Sequence, residues 1–400
     1  MKKYTLTWML ALSYLVVITS ACTHDNNPIP FIPLSYEGKN PYLVYVSNTE
    51  MKIQWQLAKT DTCAFEWGTS SGIYSSVPFT TTEDSSDNNR HIHSYTITID
   101  PLLAGTTFYY RVLMNGAYQT GSFNAPPAAS AADLKFIVYG DSQLFAEMHN
   151  QVAGAIVNTY NADPLFKTFI LRTGDLVQNG GSENSWEIEF FSPALGNVLQ
   201  LLATVPCISA RGNHDVGGRL FQKYFPYPFQ SGGCYWSFDY GPAHIAIVDQ
   251  YVSYSTESDQ WKWLNGDLNA ASTKIPKPWI FIVLHEPGWT ATPAGAIGHT
   301  NNSNVQNLIQ PLCKDNGVSF VFAGHNHYYS RAVVDGVQHI TTGGGGAPTY
   351  DPVPGQPNIA TIDRSNHFCK IEIDGNKKTL YFTAVRSDGS VIDELEINKN

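Results

Sequence analysis

Five short clusters carry residue types able to bind metal or move protons. They are Gly140-Asp141-Ser142-Gln143, Gly174-Asp175-Leu176-Val177-Gln178-Asn179, Gly212-Asn213-His214-Asp215, His285-Glu286-Pro287 and Gly324-His325-Asn326-His327. Carboxylate oxygen and imidazole nitrogen, without thiolate, are the donors that hold divalent or trivalent first-row metals. Asp141, Asp175, Asn213, His285, His325 and His327 are too many for one four-coordinate ion and suit two ions sharing a bridge. Two adjacent ions can clamp the attacking and leaving oxygens of a phosphoryl displacement.

The clusters must be brought together by what precedes them. Residues 134–139, 168–171, 205–209, 244–248, 279–284 and 318–322 are short apolar runs, β-branched or aromatic, of the kind that forms strands buried on both faces. Residues 144–160 and 303–313 have helix-compatible patterns, and 368–373 and 379–384 look like closing antiparallel strands. This predicts an α/β layered domain over 133–400. In such sheets functional groups gather where strands meet the following loops, and five of these runs end at the clusters.

Upstream, residues 41–125 alternate short β-type runs with turn signals, at 42–46, 52–56, 63–67, 93–99, 107–113 and 118–123, which predicts a small all-β sandwich. The polar stretch 80–90 is expected to be a mobile loop. Residues 126–132 read as a linker by composition. The turn and strand at 102–112 resemble those of a fibronectin type III domain.

Composition narrows the function classes. The 400 residues are 43% apolar and 14% charged, with a net charge of −10. That charge argues against a broad nucleic-acid-binding face, which needs Lys and Arg to neutralise phosphates. An anionic substrate would need a locally positive device, which a metal pair supplies. At the N-terminus, Lys2 and Lys3, the apolar run 6–18 and Thr19-Ser20-Ala21-Cys22 read as a secretory signal too short for a membrane span. Residues 1–22 resemble a bacterial lipoprotein signal ending at a lipidated Cys22, and 23–40 read as a tether. The expected location is a bacterial outer membrane or cell surface through that lipid anchor, or the periplasm without it. Cys63, Cys207, Cys234, Cys313 and Cys369 lack CxxC spacing and read as mostly buried thiols.

Taken in order, the five motifs resemble those of the calcineurin-like metallophosphoesterases, and the preceding sandwich resembles the purple acid phosphatase branch. The resemblance spans 41–400 and implies an αββα layered domain that hydrolyses small phosphate esters, monoester or diester, with two Fe, Mn or Zn ions and a metal-bound hydroxide as nucleophile. By it, Asp175 bridges the ions, Asp141 and His327 bind the first, and Asn213, His285 and His325 bind the second. His214 contacts the phosphoryl group or protonates the leaving oxygen, Asp215 orients it, and His299 lines the substrate pocket. Two departures stand out. Purple acid phosphatases have a colour-giving tyrosine where this chain has Gln178, and many family members have a ligand histidine where it has Gln143. Gln143 is then a candidate ligand through its amide oxygen. A second expectation is a surface lipoprotein that binds through its sandwich with an impaired centre.

Three other features point elsewhere. Gly68-Thr69-Ser70-Ser71-Gly72 satisfies the pattern of a serine-hydrolase elbow but sits in the sandwich, where a turn explains it. The glycine run 343–346 lacks the Lys and Ser/Thr of a phosphate-cradling loop and suits backbone packed close to the centre. The aromatic segments 224–229 and 235–236 read as packing.

Overall fold

The computed structural model describes residues 38–58, 63–85, 91–216 and 219–399. The signal, Cys22 and most of the tether lie outside them.

Alternation of buried and half-buried positions builds the first layer pair. Strands β1 (Gly38–Ser47), β2 (Glu50–Leu57), β3 (Ala64–Ser70), β4 (Ile73–Ser76), β5 (Thr80–Ser85), β6 (His91–Ile99), β7 (Thr107–Met114) and β8 (Ala117–Asn124) form two antiparallel four-stranded sheets, ordered β1-β2-β6-β5 and β4-β3-β7-β8. In β7 every second residue, Phe108, Tyr110, Val112 and Met114, is buried, the period of a strand with one face in a core. The stretch expected as a loop contains β5, which pairs antiparallel with β6. Its Thr80-Thr81-Thr82 run is β-branched, and that preference outweighs polarity at a sheet edge. The expected tether also ends sooner: β1 begins at Gly38, and Lys39 is fully buried.

The second layer pair follows β9 (Leu134–Tyr139), β10 (Ile170–Arg172), β11 (Cys207–Ser209), β12 (Trp236–Tyr240), β13 (Ala243–Ile247), β14 (Trp279–Val283), β15 (Phe320–Ala323), β16 (Tyr329–Val334), β17 (Val337–Thr342), β18 (Ile359–Asp363), β19 (His367–Asp374), β20 (Thr379–Arg386) and β21 (Val391–Asn398). One sheet is ordered β11-β10-β9-β19-β20-β21, the other β12-β13-β14-β15-β17-β16-β18. Strands β11-β10-β9 and β13-β14-β15-β17 are parallel.

The continuous apolar runs are explained by burial on both faces. In β14, Phe281 and Val283 belong to the core between the two sheets, while Ile280 and Ile282 belong to a separate core. That outer core contains Leu264 and Leu268 of the helix Asp259–Ser272 and Leu312 and Cys313 of the helix Gln310–Asn316. Across the inner layer, Phe136 meets Phe281 with ring centroids 5.4 Å apart. The helix Ala146–Ala162 buries Val152, Ala153, Ile156, Val157 and Tyr160, and its His149 faces the Tyr139 hydroxyl of β9 at 3.1 Å. The result is helix, sheet, sheet, helix.

The sandwich is not a separate bead. One core cluster runs from Tyr42, Trp55 and Tyr110 through Phe191 and Trp236 to Phe281 and Phe382. Tyr42 lies 5.0 Å from Phe191 and Tyr45 5.1 Å from Phe238, ring to ring. Tyr110 donates to the Ala203 carbonyl at 2.9 Å. Lys39 donates to Gln56 at 2.8 Å and to Glu183 at 3.2 Å, so its buried charge is compensated. Burial alone pushes the Lys39 ammonium down, and Glu183 and Glu187 oppose that. All five described cysteines are free thiols, four of them buried. Among the described residues no helix is long and apolar enough to cross a membrane.

Candidate metal centre

Every donor of the centre follows the C-terminal end of a parallel strand: Asp141 after β9, Asp175 after β10, Asn213 after β11, His285 after β14, His325 and His327 after β15. To turn the side chains inward the backbone adopts the left-handed region at Asp141 (φ 59°), Asp175 (φ 51°) and His325 (φ 68°). Such positions cost on the order of 1 kcal/mol or more each and persist only when the surroundings over-determine them. The glycines beside them leave room for carboxylates. A Cβ on Gly324 would stand 2.1 Å from Asp141 Oδ2, and one on Gly212 would stand 2.1 Å from Asp175 Oδ1.

Main-chain partners fix which atoms face inward. His285 Nδ1 lies 2.7 Å from the Thr173 carbonyl, so Nδ1 carries the proton and the Nε2 lone pair faces the centre. His327 repeats this, with Nδ1 3.1 Å from the Pro348 carbonyl. A ligating histidine is commonly held in this way by a carbonyl on its other nitrogen. Around His285 Nε2 stand Asn213 Oδ1 at 3.0 Å, Asp175 Oδ2 at 3.2 Å and His325 Nδ1 at 3.2 Å. Asp175, His285 and His325 each offer one donor atom, mutually within 4.8 Å.

One N–H on His285 cannot satisfy three acceptors, whereas a cation among them can. In protein atoms alone, burial works against charge on His285, but Asp175 and Asp141 hold its imidazole up at about 10. Burial and the His285 charge push His325 down to about 2. Burial raises Asp141 well above the usual carboxylate range, while His285 and His214 draw Asp175 down to about 2 against its own burial. The buried Asp141 Oδ2 and Gln143 Oε1 have no hydrogen-bond partner. A donor set with convergent lone pairs and orphaned buried oxygens fits metal ions.

The second cluster of donors is looser. His327 Nε2 is 3.8 Å from Asp141 Oδ1 and 3.3 Å from the Gln143 amide nitrogen, which also lies 3.3 Å from Asp175 Oδ2. Turning the Gln143 amide over would put Oε1 where Nε2 stands.

The remaining expected residues divide. The His214 backbone N–H donates to Asp175 Oδ1 at 2.9 Å, and its Nδ1 faces the Gln178 carbonyl at 2.9 Å. The His299 ring stacks on His325 at 3.7 Å and lies on the exposed rim. Asp215 does not orient the His214 ring. Its buried carboxylate accepts from the Leu176 and Gly212 backbone N–H groups, both at 2.9 Å, and so ties two loops of the centre together. The resemblance implies that Asp215 orients His214, but the Asp215 carboxylate is taken up by backbone N–H groups, and the Gln178 carbonyl stands at His214 Nδ1 instead.

The family model described as calcineurin-like phosphoesterase matches residues 134–329. That match takes in all five clusters of the centre. It is similar to Purple acid phosphatase 18 of Arabidopsis thaliana, with 27% identity over 378 residues covering 86% of this chain and 82% of the relative. It is also similar to Probable purple acid phosphatase 20 of the same plant, with 26% identity over 310 residues covering 72% of this chain and 68% of that one. Among solved structures it resembles GAP50, "the anchor in the inner membrane complex of Plasmodium", with TM-score 0.53 and 18% identity, covering 67% of this chain and 90% of that chain. That likeness shows the fold. The family match and these relatives make the chain a phosphatase-type hydrolase acting on phosphoesters with metal.

Sequence reading missed the supports of this phosphoesterase centre. Gln250 Oε1 accepts from the His285 and Glu286 backbone N–H groups at 2.8 and 2.6 Å. The buried Glu189 Oε2 accepts from Leu144 N and Gln178 N, both at 2.8 Å, bracing the two Asp-bearing loops against each other. Its one legible signal is an acid flanked by the apolar Ile188 and Phe190. The glycine run packs against the Asp141 loop, with Gly345 N donating to the Gly140 carbonyl at 2.8 Å and Ala347 N to that of Asp141 at 2.9 Å. Gly68–Ser70 ends β3 within the sandwich, with no helix after it.

Proposed function

We propose that the chain hydrolyses phosphate esters of small molecules at a dinuclear metal centre, with an activated water as the nucleophile. The observation that carries this reading is the convergence of Asn213, Asp175 and His325 donor atoms on Nε2 of His285, together with the unpartnered oxygens of Asp141 and Gln143.

In this reading Asp175 is shared, Asp141, His327 and Gln143 hold one ion, and Asn213, His285 and His325 hold the other. The chemistry a metal pair supplies when bound is Lewis-acid polarisation of phosphoryl oxygens and acidification of the attacking water. The protein supplies the rest. With Nδ1 of His214 held by the Gln178 carbonyl, Nε2 is the atom left to bind a phosphoryl oxygen or to protonate the leaving oxygen. Glu189 and Asp215 keep the three loops in register, so the donors need no rearrangement as charge develops. The unpartnered oxygen of Gln143 supports its counting among the ligands rather than as a defect. The lysine pair, apolar run and Cys22 support export with a lipid anchor at a bacterial surface.

The test is hydrolysis of p-nitrophenyl phosphate and bis-p-nitrophenyl phosphate with Mn, Zn or Fe added, alongside metal analysis. Turnover with about two ions per chain is expected, and His214→Ala should lose at least about a hundredfold in turnover while retaining its metal. No turnover with any metal, or full turnover in His214→Ala, would sink the reading.

A further inference from the structure

We propose that Asn326, the residue between His325 and His327, is a positioning residue for substrate: its side chain mounts the loop that carries His299 and so fixes the His299 ring beside the centre. This rests on the phosphatase reading above and adds the group that sets one wall of the substrate site.

Asn326 is fully buried, and a buried amide is tolerated only when its hydrogen-bonding groups are taken up. Its Nδ2 donates to the His299 carbonyl at 3.1 Å, and its Oδ1 accepts from the His299 backbone N–H at 2.8 Å. One side chain thus takes both main-chain groups of a single residue, as a paired strand would. The two contacts also settle which end of the amide carries the nitrogen. The Tyr350 hydroxyl donates to the same Oδ1 at 2.9 Å and holds the amide from its far side.

The loop has little else to hold it. From the end of β14 to Asn304 no helix or strand forms. At its base the Thr290 N–H donates to Asn301 Oδ1 at 2.8 Å, and the Asn302 N–H to the Pro287 carbonyl at 3.0 Å. Above that base, among the described residues, 294–300 make no hydrogen bond to the rest of the protein except the two from His299 to Asn326 and a turn onto Pro293. Close approach is built in at Gly298, whose φ is 111°. A Cβ there would stand 2.5 Å from the Tyr350 ring and 2.9 Å from Asn326 Oδ1.

Held in this way, the His299 ring stacks on His325, a donor of the centre, with centroids 3.7 Å apart and planes 27° from parallel. Neither of its ring nitrogens has a hydrogen-bond partner among the described residues. A free imidazole edge beside the donors is open to an oxygen of a bound phosphoryl group. Without the mount the ring would sample many orientations, and binding would have to restrain it.

The test is a double-mutant cycle on the metal-loaded full-length protein. It is read by calorimetry with inorganic phosphate and by kcat and KM for p-nitrophenyl phosphate, with metal content measured alongside. H299A and N326A should each weaken phosphate binding and lower kcat/KM by about tenfold. N326A should divide its loss between kcat and KM as H299A does, and N326A/H299A should be no worse than H299A alone. G298A, which crowds the mount from the loop side, should repeat this pattern if N326A folds poorly. Losses that add in the double variant, a loss of metal in N326A, or single variants that match the wild type would overturn the proposal. The same cycle in phosphate affinity without hydrolysis of the ester would uphold the mount and bring down the phosphatase reading instead.

Discussion

The two halves of the centre share Asp175 but are built to different tolerances. On one side His285 is fully buried, its tautomer fixed by Thr173, with three other donors within 3.2 Å of its Nε2. On the other, His327 keeps 17% of its side chain exposed, stands 3.8 Å from Asp141 and has an amide, Gln143, as its neighbour. A buried, pre-positioned donor set has little reorganisation left to do when an ion arrives, whereas a more exposed and more widely spaced one binds more weakly and exchanges faster. The difference predicts a centre with one firmly held ion and one that depends on supply.

Breaking the shared ligand should erase the contrast. Asp175→Asn is expected to lower turnover by more than about a hundredfold and to release both ions, measured by elemental analysis after gel filtration. Metal retained at wild-type level in this variant would remove Asp175 from the bridge. Breaking one half at a time should expose the asymmetry: His285→Ala is expected to weaken metal binding by more than about tenfold and to cost more metal than His327→Ala. Equal losses would mean that the halves are equivalent. Repairing the weaker half is the sharper test. Gln143→His places an imidazole in the looser cluster and should tighten the second ion by roughly tenfold, read by chelator competition.

The smallest expected effect compares His285 with a histidine held by carboxylates away from the centre. His244 lies between Asp239 and Asp267, each at 2.9 Å. Burial opposes its charge, but the two carboxylates raise it above 6.5. A raised folded-state pKa means the contribution to stability is fully present below the unfolded value and fades as pH rises through the raised one. The melting-temperature advantage of wild type over His244→Gln should therefore shrink as pH rises above about 6.5, while added metal leaves that trend unchanged. An advantage that grows with pH would contradict the carboxylate clamp.

These contrasts were unevenly legible in the chain itself. Asp141, Asp175, Asn213, His285, His325 and His327 stand out because a strand end and its loop are local features, and the apolar runs mark where each strand stops. The role of Asp215 was not legible, since its neighbour in sequence is not its partner in space. Gln250 and Glu189 act on backbone N–H groups from distant segments, which leaves no spacing to read. In the sandwich, β5 is hidden by the polarity of its threonines, although their branching favours the strand it forms.

The core shared between sandwich and phosphoesterase domain bears on how the chain can be divided. Cleavage within 126–132 would sever the backbone but leave Tyr42 against Phe191, Tyr45 against Phe238 and Lys39 against Glu183. The two fragments should then migrate as one species until denatured. Residues 133–400 produced alone would present Phe191, Phe225 and Trp236 as a bare aromatic face, so the sandwich serves its partner as a fitted cover and cannot simply be exchanged for another module.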